Sequence, residues 1–222
     1  MRRLISSVVF SGVAVVSITA AGFWETKPFA SWSDKEVQEV MNDSPWSRSV
    51  NVVMNSVRAG RSGGGAESDG ARGGGGRGGG FPVAPPQMKL LISWRSALPM
   101  KLAAVRIQIG EGAAVTSEGQ QVLDHVETQY IVTLSGVSMR FARSLSSMKG
   151  TTFLKHGSRM IPAAGIEAQQ GQATLVVIYG FSRDEPITVE DKDVEFITKL
   201  GDFDIKKKFN LKDMVFHGKL EL

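Results

Sequence analysis

Three histidines, His125, His156 and His217, are the residues of this chain best suited to acid–base or metal chemistry. No two of them stand at i and i+4, so the helical metal-binding arrangement of a metalloprotease is absent. Asp124-His125 invites a search for a serine nucleophile, because an imidazole oriented by a carboxylate can take a hydroxyl proton. No G-x-S-x-G elbow presents one. The acids Asp191, Asp193 and Glu195 have the alternation of a calcium loop but lack its central glycine. Gly110-Glu111-Gly112 is shaped like the start of a dinucleotide turn, yet Val115 stands where glycine or alanine must let helix and strand approach. An ordinary glycine-containing loop is the reading there. With no cysteine in 222 residues, disulfides, thiolate catalysis and zinc–thiolate sites are excluded. No catalytic, cofactor-binding or metal-ligating residue is nominated, and no cofactor is expected.

The elements that would position such residues are divided by Gly60 to Gly80, in which twelve of 21 residues are glycine and none is large and apolar. Four segments follow: a signal peptide over 1–21, an N-terminal arm over 22–59, a disordered glycine-rich loop over 60–80 and a β-rich body over 81–222. Arg2 and Arg3 followed by the uncharged stretch to Ala21 read as a secretory signal cut after Ala21 or one residue to either side. A retained anchor is the alternative, since Leu4 to Trp24 as a helix would span about 31 Å. The expected location is therefore periplasmic or secreted, with membrane contact only if that segment is retained. Arg72-Gly73-Gly74 and Arg77-Gly78-Gly79 have the form of RNA-binding boxes, but no aromatic residue interleaves them. With export as well, no nucleic acid is expected as a partner.

In the arm, Ser33-Asp34-Lys35-Glu36 is a capping box that starts a helix at Asp34, with Trp32 and Val37 spaced as a hydrophobic staple. Pro45 ends that helix, and Ser49 to Val57 is read as a strand with Val50, Val52 and Met54 on one face. So short an arm cannot fold alone, so it must dock on the body.

In the body, Met88, Leu90, Ile92 and Trp94 alternate with polar residues as a half-buried strand. Ser96 and Pro99 could open a helix, although Val105 to Ile109 alternates equally well as a strand, and 97–125 is left open. Val126 to Leu134 is a strand ended by Gly136, and Met139 to Met148 one short helical turn. Thr151 to His156, Met160 to Glu167 and Gln172 to Phe181 are three more strands, the middle one confined by Pro162 to an edge or a bulge. A turn at Gly201-Asp202 pairs Leu200 with Phe203, Thr198 with Ile205, Phe196 with Lys207 and Val194 with Phe209. It also sets Lys199 against Asp204 and Glu195 against Lys208. Val215 to Leu222 is read as a last strand closing the sheet. The expected fold is mainly β (α+β): an antiparallel β-sandwich or barrel-like sheet of about eight or nine short strands with a short capped N-terminal helix.

Trp32-Ser33-x-Lys35-Glu36-Val37 with Ser44-Pro45-Trp46, Trp94-Arg95-Ser96-Ala97-Leu98-Pro99, Val194-Glu195-Phe196, and the closing Lys212-Asp213-Met214-Val215 and Gly218-Lys219-Leu220-Glu221-Leu222 together resemble a family of exported bacterial proteins of unknown function. The resemblance implies export and an arm joined to the body, and carries no chemistry. The functional expectation is an exported, non-catalytic β domain, envelope-associated or partner-binding, whose partner is an unknown protein or envelope component and whose interaction anchors are Trp32 and Trp46. The alternative is an exported hydrolase with a dispersed active site. A pocket holding His125 or His156 beside an acid and a hydroxyl would favour the hydrolase. A solid core with the three histidines apart would count against it.

Overall fold

The computed structural model describes residues 22–54, 87–171 and 173–222. The segment 1–21 read as a signal peptide, the glycine tract 60–80 with its arginine-glycine boxes, and the flanks 55–59 and 81–86 lie outside the described residues.

Eight strands form one antiparallel sheet: β1 (Ser47–Val53), β2 (Gln87–Trp94), β3 (Gln129–Ser138), β4 (Phe153–His156), β5 (Arg159–Gln170), β6 (Thr174–Ser182), β7 (Asp193–Leu200) and β8 (Phe203–Asn210). Their order is β1-β2-β3-β6-β5-β4-β7-β8, and the terminal strands β1 and β8 come together, so the sheet is barrel-like and nearly closed. Alternation in the sequence decides which side of each strand faces in. Leu90, Ile92 and Trp94 of β2, Val132 and Leu134 of β3, and Val177, Tyr179 and Phe181 of β6 are all buried. The interior is aromatic. Trp94 meets the edges of Tyr130 and Phe209, and Phe196 meets Tyr179 and Phe181.

The β7–β8 hairpin has the register that its two faces demand, from Leu200 opposite Phe203 to Val194 opposite Phe209. Gly201, at φ +59°, supplies the left-handed residue its turn needs. Lys208 and Glu195 are opposite one another, but the Lys208 ammonium reaches diagonally to Asp193 at 3.3 Å. Pro162 lies in β5, one residue before the irregularity between Ala163 and Gly165, with β4 on its one paired side. Its missing N–H therefore faces a stretch where β6 offers no partner.

Five α-helices accompany the sheet among the described residues: α1 (Phe23–Thr26), α2 (Asp34–Asn42), α3 (Leu98–Ile109), α4 (Ser117–Asp124) and α5 (Leu145–Met148). Ser33 caps α2 as its sequence requires, accepting from the Glu36 N–H at 3.3 Å while Glu36 accepts from the Ser33 N–H at 2.7 Å. The stretch left open becomes the two helices α3 and α4. Val105 to Ile109 is helix, not strand: Val105 and Arg106 are both buried while Ile107 and Gln108 are both exposed, a pattern that strand alternation cannot give. Ser96 does not cap α3; its hydroxyl accepts from the Ile131 N–H at 3.0 Å.

Three expectations are corrected. Gly136 does not end β3: the strand runs on to Ser138 through a bulge in which Gly136 has φ +84°, and a Cβ there would lie 2.6 Å from the Lys89 carbonyl oxygen. Val126 lies before the strand and is 82% exposed. Residues 215–222 are no ninth strand of the sheet. They fold into a separate hairpin of β9 (Val215–Phe216) and β10 (Lys219–Leu220), because His217 at φ +48° and Gly218 at φ +79° form a tight turn between them.

The arm belongs to the body's core. Trp32, Val37, Val40 and Trp46 join the same buried cluster as Trp94 and Phe209. Arg106 of α3 is 2% exposed and donates to the Trp32 carbonyl at 2.7 Å, with Asp34 at 3.3 Å and Glu111 at 3.4 Å beside it. Buried cations need such partners, and these link the arm to α3.

Candidate functional site

Trp32 and Trp46, offered by the sequence as partner anchors, are each 0% exposed. Their indole N–H groups are used internally, Trp32 donating to the Lys27 carbonyl at 3.0 Å and Trp46 to the Glu221 carbonyl at 2.9 Å. Neither ring is presented to a partner. The staple and cap that made them visible in the sequence are the same features that draw them into the core.

The histidines occupy three separate places. His217 stacks on Phe216, with ring centroids 4.0 Å apart. His125 turns its Nε2 toward Glu127 at 3.5 Å, and Asp124 accepts from Gln120 at 2.8 Å, so the Asp124-His125 pair does not form. His156 is different. It is 1% exposed, its Nδ1 lies 3.2 Å from Asp191 Oδ2, and it lines a recess of about 450 Å³ with Ser158, Thr188 and Pro186. The Asp191 carboxyl is held below its usual range, first by the Thr188 backbone N–H at 2.9 Å and also by the neighbouring imidazole.

That recess meets the condition of a histidine beside an acid and a hydroxyl, but its bonds run in the wrong order for nucleophile activation. A catalytic hydroxyl must bond to the imidazole, whose other nitrogen bonds to the acid. Here the Thr188 hydroxyl donates to the Asp191 carboxylate itself at 3.4 Å. Both imidazole nitrogens are shielded from solvent without a hydrogen bond of good geometry. Among the described residues, no group of three or more histidine and acidic side chains is arranged to hold a metal ion.

A second site lies on the outer face of the sheet. Strand register places the outward side chains of β2, β3 and β6 in cross-strand rows: Leu91, Ser135 and Val176 in one, Ser93, Thr133 and Ile178 in the next. Ile131 lies beyond them, beside Arg95, whose backbone N–H donates to the Ile131 carbonyl at 2.8 Å. Met41 and Asn42, at the end of α2, complete a groove of about 560 Å³.

The electrostatics of this groove centre on Arg95. Burial pushes its guanidinium below the ordinary value, and its one side-chain hydrogen bond among the described residues is to Met41 Sδ at 3.5 Å. Among the described residues no carboxylate lies within ion-pair distance of it. Asp43, the acid just beyond α2, is paired with Arg48 at 3.0 Å. A partly desolvated cation without a counter-charge is unfavourable in isolation and favourable once an anion arrives.

The sequence did carry a trace of this site. A solvent face normally alternates charged residues, yet the outer positions Leu91, Ser93, Ile131, Thr133, Ser135, Val176 and Ile178 bear no charge. Only strand order, which a single sequence does not reveal, brings these three stretches side by side.

Comparison with models of protein families, with curated proteins and with solved structures finds no match to this chain. No helix among the described residues is long and apolar enough to cross a membrane.

Proposed function

We propose that this chain is an exported, non-catalytic β domain of the bacterial cell envelope that binds a partner molecule on the outer face of its sheet, in the groove at Arg95. The observation that carries this reading is Arg95, partly desolvated and without an ion-pair partner among the described residues, at one end of a half-buried uncharged surface. Most sheet faces of this kind are either polar or covered. The Arg2-Arg3 start with its apolar stretch supports export, as does the resemblance at both ends of the mature chain.

Because the chain has no cysteine, Ser135→Cys introduces a unique thiol at the groove's far end. The thiol is expected to react with maleimide in the purified protein and to be protected in the envelope fraction. Equal labelling in both settings would refute groove occupancy. Recovery of the protein from the cytoplasm alone, with residues 1–21 intact, would refute export.

The second reading, an exported hydrolase, is favoured by one observation, the Asp191–His156 pair beside Ser158 and Thr188. It requires ester or amide turnover that His156→Gln abolishes while the melting profile is retained. Turnover unaffected by that change would remove His156 from the chemistry.

A further inference from the structure

We propose that the groove takes a single-chain fatty carboxylate, its carboxylate forked against Arg95 and its tail lying along Ile131 and Ile178 toward Leu91 and Val176. This rests on reading the groove as the binding surface and adds the chemical class of its occupant.

The donor inventory selects the class. Ser47 donates its hydroxyl proton to the Met41 carbonyl at 2.6 Å. The Ser47–Ser93 contact at 2.7 Å must then use the Ser93 proton, and Thr133 donates toward the Ser93 carbonyl at 3.5 Å. The last-turn carbonyls of α2 are occupied too, Val40 by the Ser44 hydroxyl at 2.6 Å and Met41 by Ser47. At the Arg95 end, then, the guanidinium is the one charged donor, beside an Asn42 amide that already donates to Gln38 at 2.8 Å, and its planar fork matches a carboxylate.

Beyond Arg95 the groove is mixed but uncharged, aliphatic side chains standing among Ser93, Thr133, Ser135 and Gln169. Leu91, Ile131, Val176 and Ile178 are half-buried, and no aromatic ring lines it among the described residues. A sugar would find no aromatic stacking platform, and a nucleotide would meet one cation for several charges. From Arg95 to Leu91 the groove follows four residues of strand, about 13 Å at roughly 3.3 Å each. That length suits a medium acyl chain. One charge at one end and four half-buried aliphatic side chains along an otherwise uncharged wall are what the groove offers.

The test is calorimetric titration of the purified full chain with decanoate below its micellar range, beside 1-decanol and decyltrimethylammonium. Decanoate is expected to bind, with the alcohol weaker by roughly tenfold or more and the cation without measurable affinity. Arg95→Gln should cost the same factor for decanoate and leave decanol unchanged. Val176→Asp, at the tail end, should weaken both, so the proposal does not depend on one variant folding. It is overturned if wild-type protein does not bind decanoate, if decanoate and decanol bind equally, or if Arg95→Gln leaves decanoate affinity intact. It is overturned equally if the arginine governs binding to phosphatidylglycerol vesicles, or self-association on gel filtration, while free decanoate is ignored. Failure here with Ser135→Cys still protected in the envelope would discard the ligand class and keep the binding surface. Loss of that protection as well would discard both.

Discussion

At the scale of single residues, the two buried indoles Trp46 and Trp94 separate packing from hydrogen bonding. Both are 0% exposed, so replacing either by phenylalanine removes similar buried volume. Trp46 donates to the Glu221 carbonyl at 2.9 Å, whereas the Trp94 N–H is buried without an acceptor. Trp46→Phe therefore loses a bond and strands a carbonyl, while Trp94→Phe deletes an unpaired donor. Urea denaturation followed by far-UV circular dichroism should find Trp46→Phe more costly, by about 1–2 kcal/mol. Equal costs would mean that the Trp94 N–H is satisfied after all. The same distinction explains why the tryptophans were legible as important and illegible in role. Hydrophobic staples and S-P-W spacing announce large apolar side chains, but whether a ring faces a partner or the core depends on β1 and the β9–β10 hairpin closing over it.

At the scale of elements, α2 and the β7–β8 hairpin were legible because each is specified locally, by a cap within four residues and by a two-residue turn flanked by matched faces. The closing hairpin was misread because period-two patterning in Val215 to Leu222 does not show where a His-Gly turn interrupts it. The cap also has a pH signature. Glu36 is held down to about 2 from its ordinary 4.5, chiefly by the Lys27 ammonium at 2.6 Å and then by the Ser33 N–H. A depressed carboxyl contributes stability that is fully present above its unfolded value and is lost as pH falls through its folded one. The window is thus from about 4.5 down to about 2. Asp191, also depressed, adds to the same acid limb. Glu36→Gln keeps a capping-box side chain but loses the charge, so at pH 7 its melting temperature should fall slightly, by an amount corresponding to under roughly 1 kcal/mol for a partly exposed pair. Its deficit relative to the wild type should shrink steadily between pH 5 and pH 2 in thermal melts. A deficit constant across that range would mean that Glu36 stabilises α2 through geometry alone.

At the scale of the whole molecule, the question is how an arm and a body separated by so much glycine make one fold. Val53 and Gln87 are cross-strand partners, so the chain leaves β1 and re-enters β2 at adjacent points. The connection has no distance to bridge. The sequence established that the arm must dock; it could not show that docking means sharing one sheet, because the pairing of β1 with β2 is a long-range event. From that register follows a prediction about the tract itself. Treated as the unpacked loop its composition implies, it adds only closure entropy, which grows with the logarithm of length. Deleting residues 60–80 shortens a connection of 33 residues to 12. Folding should then be preserved and stability raised by about 1 kcal/mol, with the arm tryptophans and the sheet still melting together in fluorescence and circular dichroism. A deletion that instead destabilised the protein by several kcal/mol would mean that the glycine tract packs on the barrel. A loss of coincidence between the two signals would mean that arm and body are held together less tightly than Arg106 and the shared core require.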